Sequence, residues 1–182
     1  MDIMLDFETL DTSANAVVIS LGAVAFDAQN TTPLGDVYYC EIVKPRYQHE
    51  VFGRSISEET VAWWEKQSEQ AQAVFECKIS PTPFDAAILG FKKFCLDRST
   101  NYLRVWGNGA AFDNAILASC LENLDEPALP HKSNLCYRTM CALPNAPERQ
   151  QSGTHHNALD DAVSQALHLQ QIYAHLRGGT LL

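Results

Sequence analysis

Apolar and polar positions change their period near residue 55. Before it the pattern is that of strands: Asp2 to Asp6 is an apolar run, Val17 to Phe26 (VVISLGAVAF) is rich in β-branched residues, and GDVYYCEIV, with its body at residues 36 to 43, alternates. The turn-forming stretch AQNTTPLGD separates the second run from the third, so a three-strand antiparallel meander is predicted. From Ser55 the spacing becomes helical, with ISEETVAWWEKQ placing a Ser ahead of Glu-Glu and an apolar stripe. In PTPFDAAILGFKKFCLDR, Thr82 is the expected N-cap, Pro83 the first helical residue and Asp85 the acid three positions after the cap. Its stripe Phe84, Ala87, Ile88, Phe91, Phe94, Cys95 predicts a core face. NYLRVWGNG returns to strand and FDNAILASCLENL to helix. Residues 144–154 (PNAPERQQSGT) read as a loop, and a last helix is expected from about Asn157 to Leu176, stopped by Gly178-Gly179.

Strands first, then helices alternating with strands, predict an α/β fold: a mixed β-sheet, the meander plus parallel strands, flanked by helices. At 182 residues and 46% hydrophobic content the expectation is one domain over residues 1–182, with no internal repeat. Such a chain buries roughly 70% of its unfolded surface. Met1-Asp2-Ile3-Met4 has no basic region ahead of an apolar stretch, so no secretory signal is expected. The longest uncharged run, between Asp11 and Asp27, falls short of the roughly 20 apolar residues of a membrane span. Six cysteines without a C-x-x-C pair read as reduced small hydrophobes, and a cytoplasmic location is expected. Thirteen basic against 22 acidic residues give a net charge of −9, which argues against a broad basic groove along a duplex and leaves a grip on a strand end open.

Charge placement alters this picture more than composition does. Asp6 and Glu8 alternate onto one side of a strand, about 6.6 Å apart at the backbone. At an effective dielectric of about 20 they repel by about 2 kcal/mol, a cost that asks for positive charge between them. Asp113, in WGNGAAFDN, follows a Gly-punctuated strand end in the first turn of a helix, where the dipole favours a carboxylate. In HHNALDDA, five residues of helix would leave His156 and Asp161 roughly 140° apart, so His156 is expected on the preceding loop, free to swing. Taken singly, each has an ordinary reading: Asp6 and Glu8 as a solvated strand end, His156 as a helix-terminal residue with His155 as rival, Asp160 as its surface partner. Trp63 and Trp64, about 100° apart on a helix, read as core and dimer-contact residues.

Together, Asp6-x-Glu8, Asp113 and His156-x-Ala158-x-x-Asp161 resemble the three exonuclease motifs of the DEDDh branch of the DnaQ-like 3′-to-5′ exonucleases, which have the ribonuclease-H-like fold. LDFETLD, SLGAVAFD, the Trp63-Trp64 pair of VAWWEKQS and VWGNGAAFDN are similar to a small subgroup that includes phage-type exonucleases and a mycobacterial 3′-to-5′ exoribonuclease. The resemblance covers nearly the whole chain. One departure lies in NLCYRTMCAL, where Cys136 stands in place of an acid expected in many relatives.

The resemblance implies phosphodiester hydrolysis at the 3′ end of single-stranded DNA or RNA, releasing nucleoside 5′-monophosphates with two bound Mg²⁺ or Mn²⁺ ions. Asp6, Glu8 and Asp161 would hold the ions, with Asp113 as a ligand directly or through water; hard cations prefer such oxygen donors, and the ions would offset the repulsion between the acids. His156 would be the general base. The backbone around Thr9 and Leu10 would read the terminal 3′-hydroxyl, with Phe7, Leu10 and Phe112 against the last base or sugar. Stacking, worth about 1–3 kcal/mol per base, suits unpaired ends. A homodimer is also implied. No residue announces a contact to a 2′-hydroxyl, so DNA and RNA both stay open. A non-catalytic 3′-end-binding module and an endonuclease or transposase-like enzyme on the same fold are the competing classes.

Overall fold

The structure, a computed structural model, describes residues 1–98, 102–109 and 111–178. Its strands are β1 (Asp2–Thr9), β2 (Val18–Phe26), β3 (Val37–Ile42), β4 (Pro81–Thr82), β5 (Arg104–Gly107) and β6 (Asn134–Cys136). Its helices are α1 (Tyr47–Phe52), α2 (Glu58–Trp64), α3 (Glu69–Gln72), α4 (Phe84–Arg98), α5 (Asp113–Asn123), α6 (Tyr137–Cys141) and α7 (Ala158–Gly178). One sheet takes all six strands in the order β4-β3-β2-β1-β5-β6. The pairs β1/β2 and β2/β3 are antiparallel, while β1/β5, β5/β6 and β3/β4 are parallel, so the expected meander is the centre of a mixed sheet.

Two differences from the sequence reading bear on the site. β1 continues past Asp6 to Thr9, so Asp6 and Glu8 lie within the ladder, opposite Gly22 and Ser20, rather than at the strand's exit. Backbone pairing with β2 carries the strand through residues whose side chains are not apolar. α7 starts at Ala158 and includes Gly178; the expected stop at Gly179 lies outside the described residues.

Alternation along β1 divides the core. Ile3, Leu5 and Phe7 face one way, packed with the α4 stripe, all six of whose residues are at most 6% exposed, and with Ile116, Leu117, Cys120 and Leu121 of α5. Burying each large side chain of that stripe contributes about 1.5–3 kcal/mol. Met4 faces the other way, with Val24, Trp106, Tyr137 and the α7 residues Ala162, Ala166 and Leu169. Asp6 and Glu8 share Met4's side of the strand, the side that α7 covers. Beyond the end of β1 a smaller cluster of Leu10, Val17, Ile19, Trp64, Ala71 and Val74 anchors α2 and α3.

α7 lies directly on β2 at Gly22. A Cβ there would stand 2.2 Å from Ala158 C and Leu159 N, so only glycine lets the first turn of α7 come this close to the sheet. All six cysteines are free thiols. Among the described residues no helix is long and apolar enough to cross a membrane.

Candidate active site

The four acids arrive on three elements. β1 supplies Asp6 and Glu8, and its register with β2 shifts between Glu8 and Thr9, a bulge of the kind that re-aims side chains next to functional sites. α5 supplies Asp113, whose carboxylate is a junction: Oδ1 accepts from the Phe7 N–H at 3.0 Å and Oδ2 from the Asn108 N–H at 2.6 Å. Gly107 makes this possible, since a Cβ there would lie 2.9 Å from the Asp113 Cβ.

α7 supplies Asp161. Asn157 caps that helix, its Oδ1 accepting from the Leu159 and Asp160 N–H groups, both at 3.1 Å. Asp161 Oδ1 accepts from Gln151 Nε2 at 2.8 Å, and its Oδ2 accepts from the His156 N–H at 2.9 Å. His156 sits outside the helix at φ 63°, as the rotation argument requires. The preceding loop is tied down more than the sequence suggests. Ser152 N–H donates to Ser164 Oγ at 2.8 Å, and Thr154 N–H to Asp160 Oδ2 at 2.7 Å. The His156 ring meets the Trp63 indole edge-on, with centroids 4.7 Å apart.

Glu8, His156 and Asp161 each present a ligand atom within 4.8 Å of the other two. Burial, reinforced by Asp113, Glu8 and Asp161, holds the Asp6 carboxyl well above its usual range, while the Gln165 hydrogen bond pulls the other way. Glu8 is raised in the same manner, by burial and then by Asp161 and Asp113. Asp113 is pushed up to about 6, chiefly by burial, against the pull of its two backbone N–H donors and Arg138. Burial lowers the His156 imidazole; Asp161 opposes this, and His155 and Arg149 add to it. Buried acids that raise one another's pKa form a centre lacking positive charge. The carboxylate oxygens fit hard divalent ions such as Mg²⁺ or Mn²⁺, whereas the imidazole nitrogen beside them is a donor that such ions do not favour and is left for proton transfer.

The acids open onto a cavity of about 490 Å³ lined by Asp6, Glu8, Asp161 and His156 together with Phe7, Thr9, Phe112 and Trp63. Asp113, fully buried, stands behind this wall. Phe7 is only 3% exposed and belongs mainly to the core; Thr9 is fixed by its Oγ1 donating to Asp11 O and its carbonyl accepting from the Trp64 indole. Leu10 is not brought to the cavity: its side chain packs in the small cluster, its N–H donates to Val17 O and its carbonyl accepts from Ser57. The tryptophan pair divides as its 100° separation predicts. Trp64 is buried, whereas Trp63 is 41% exposed at the cavity wall. Asp160 holds Thr154 and makes no hydrogen bond to His156. Gln151 and Gln165, whose side-chain amides hold Asp161 and Asp6, escape sequence reasoning because a lone amide carries no pattern, and so does Asn108, which holds Asp113 through its backbone N–H.

Residues 1–173 match the family described as the 3′-5′ exoribonuclease Rv2179c-like domain. No curated protein matches. Among solved structures the chain is similar to Exonuclease X in complex with 5′ overhanging duplex DNA, at TM-score 0.56 and 15% identity over 99% of this chain and 95% of that one. It is also similar to the nuclease domain of 3′hExo, a DEDDh family member, bound to rAMP, at TM-score 0.60 and 11% identity over 98% and 92% of the two chains. At these identities the likeness concerns the fold, which is the ribonuclease-H-like one expected from the motifs. Since the family match runs over almost the entire length, the chain belongs to the Rv2179c-like 3′-5′ exoribonuclease domain family and is a hydrolytic exonuclease.

Proposed function

We propose that the protein releases nucleoside 5′-monophosphates one at a time from the 3′ end of single-stranded nucleic acid, with two Mg²⁺ or Mn²⁺ ions held by Asp6, Glu8 and Asp161 and by Asp113 directly or through water. The observation that carries this reading is the meeting of Glu8, His156 and Asp161 within 4.8 Å at a cavity that Asp6 also lines. Bound divalent ions supply Lewis acidity to the attacking water, the scissile phosphate and the departing 3′-oxygen.

The chain's own residues do the rest. A lowered pKa keeps His156 neutral near physiological pH, with a lone pair to take the water's proton. The Asp161 bond to its N–H and the Trp63 edge against its ring hold the imidazole beside the acids. Phe112 offers apolar surface to the terminal nucleotide, and Phe7, mostly core, and Thr9 line its approach. Arg149, at the same wall, is the cation nearest in kind to what a phosphate requires.

The family's description as exoribonucleases makes RNA the strand to try first. A homodimer and a cytoplasmic location complete the reading; light scattering of the purified protein tests the first. Matched 5′-labelled RNA and DNA strands incubated with Mg²⁺ should shorten stepwise from the 3′ end, and a circular single strand should stay intact. Cleavage of the circle, or no shortening of either linear strand, would reject the proposal.

A further inference from the structure

Two glutamine amides grip two of the acids in the same way. Gln165, on α7 one turn after Asp161 and 1% exposed, donates from Nε2 to Asp6 Oδ1 at 2.7 Å. Gln151, on the loop before α7, donates from Nε2 to Asp161 Oδ1 at 2.8 Å. In both, the other half of the amide is left over: among the described residues neither Gln165 Oε1 nor Gln151 Oε1, each buried, has a hydrogen-bond partner. Buried polar atoms are normally satisfied, so two unsatisfied oxygens beside the same acids call for an explanation.

Resting on the ion-dependent reading above, we infer that Gln165 and Gln151 are positioning residues for the divalent ions: each fixes one carboxylate in its ligating orientation and keeps its Oε1 for the water that such ions bring with them. The chemistry requires an amide. A carboxylate in its place would add negative charge to acids already raised by one another, and a lysine would neutralise the centre that ions are to neutralise. An amide donates to the acid through nitrogen and accepts from water through oxygen, without net charge. Hard divalent ions of the Mg²⁺ type retain several waters when bound through carboxylates, so acceptors just outside the ligands have work to do. The two amides also divide the labour: Gln165 ties α7 to β1, while Gln151 ties the His156 loop to α7, so ordering of that loop and orientation of Asp161 become one event.

The test is Gln165→Met and Gln151→Met, which keep length and lose both hydrogen-bonding functions. Mn²⁺ binding by calorimetry should weaken on the order of 10- to 100-fold in each, the usual effect of losing such an outer partner. The metal-free melting temperature should stay unchanged, because the substitution also removes an unsatisfied oxygen, and KM for a 3′-terminated oligonucleotide at saturating Mn²⁺ should hold. Unaltered Mn²⁺ affinity, or a fall in metal-free stability that accounts for the weaker binding, would reduce both glutamines to packing and overturn the inference. If the wild-type protein itself takes up no Mn²⁺, the ion-dependent function falls as well; if it does and the variants match it, only the role given to the glutamines is lost.

Discussion

The backbone N–H of His156 donates to Asp161 Oδ2 at 2.9 Å while the residue holds a left-handed backbone at φ 63°. The proposed base therefore hangs by its main chain from an acid of the site, and its ring is free to serve while its position is not. Asn tolerates this backbone better than most residues, so His156→Asn keeps the loop's shape. It should lower kcat about 100- to 10,000-fold while Mn²⁺ uptake by calorimetry persists. Uptake lost along with activity would make His156 a ligand instead.

Asp6→Asn separates chemistry from stability. It deletes one of the proposed ligands, so turnover of a labelled oligonucleotide should fall to background. It also removes a charge that burial and three neighbouring acids disfavour, so without metal the variant should melt at or above the wild-type temperature. A destabilised, active variant would contradict both halves.

The same shifts set a pH dependence. Asp6, Glu8 and Asp113 have folded pKa values raised above those of the unfolded chain, Asp113 to about 6. Their contribution to stability is fully present below the unfolded carboxylate range and is lost as pH rises through the folded values. Divalent ions replace the lost protons, so Mn²⁺ should raise the melting temperature more at about pH 8 than at about pH 5, measured by scanning fluorimetry. An equal shift at both would disconnect the ions from these acids.

Gly22→Val tests the seating of α7. The added atoms meet the Ala158 carbonyl carbon and the Leu159 nitrogen, which are backbone and cannot step aside. Overpacking of this kind costs about 1–3 kcal/mol, and lifting α7 displaces Asp161 from Asp6 and Glu8. Chemical denaturation should show the loss, and Mn²⁺ affinity should fall with it. A stable variant with normal affinity would mean that the helix settles elsewhere without harm.

Trp63→Ala removes the aromatic edge against the His156 ring. Edge-to-face pairs contribute about 0.5–1.5 kcal/mol, so kcat should drop roughly 2- to 10-fold, with Trp63→Phe retaining part of it. If only KM moved, Trp63 would be a substrate contact and no support for the base.

Elements with a sustained period were readable in advance. Every residue of the α4 stripe from Phe84 to Cys95 is buried, and the meander pairs as expected, because both features rest on repeated burial of alternate or every-third-and-fourth positions. α1, α3, β4, β6 and α6, none longer than six residues, are too short to repeat a period and exist through tertiary contacts. The end of β1 was hidden because Asp6 and Glu8 look like an exit from the core, whereas pairing with Gly22 and Ser20 carries the strand through them. The acids and His156 stood out by spacing. Arg54 did not: it is fully buried, donating to Ala16 O at 2.8 Å and Asn123 Oδ1 at 2.7 Å, partners no local pattern foretells.

The bond from Gln165 to Asp6 joins residues 159 positions apart, and it forms only when α7 docks on the sheet. Until then a growing polypeptide carries Asp6, Glu8 and Asp113 with neither base nor fourth acid beside them. Synthesis and arming of this nuclease are thereby separated in time: the acids made first gain their partners only once the last helix has docked.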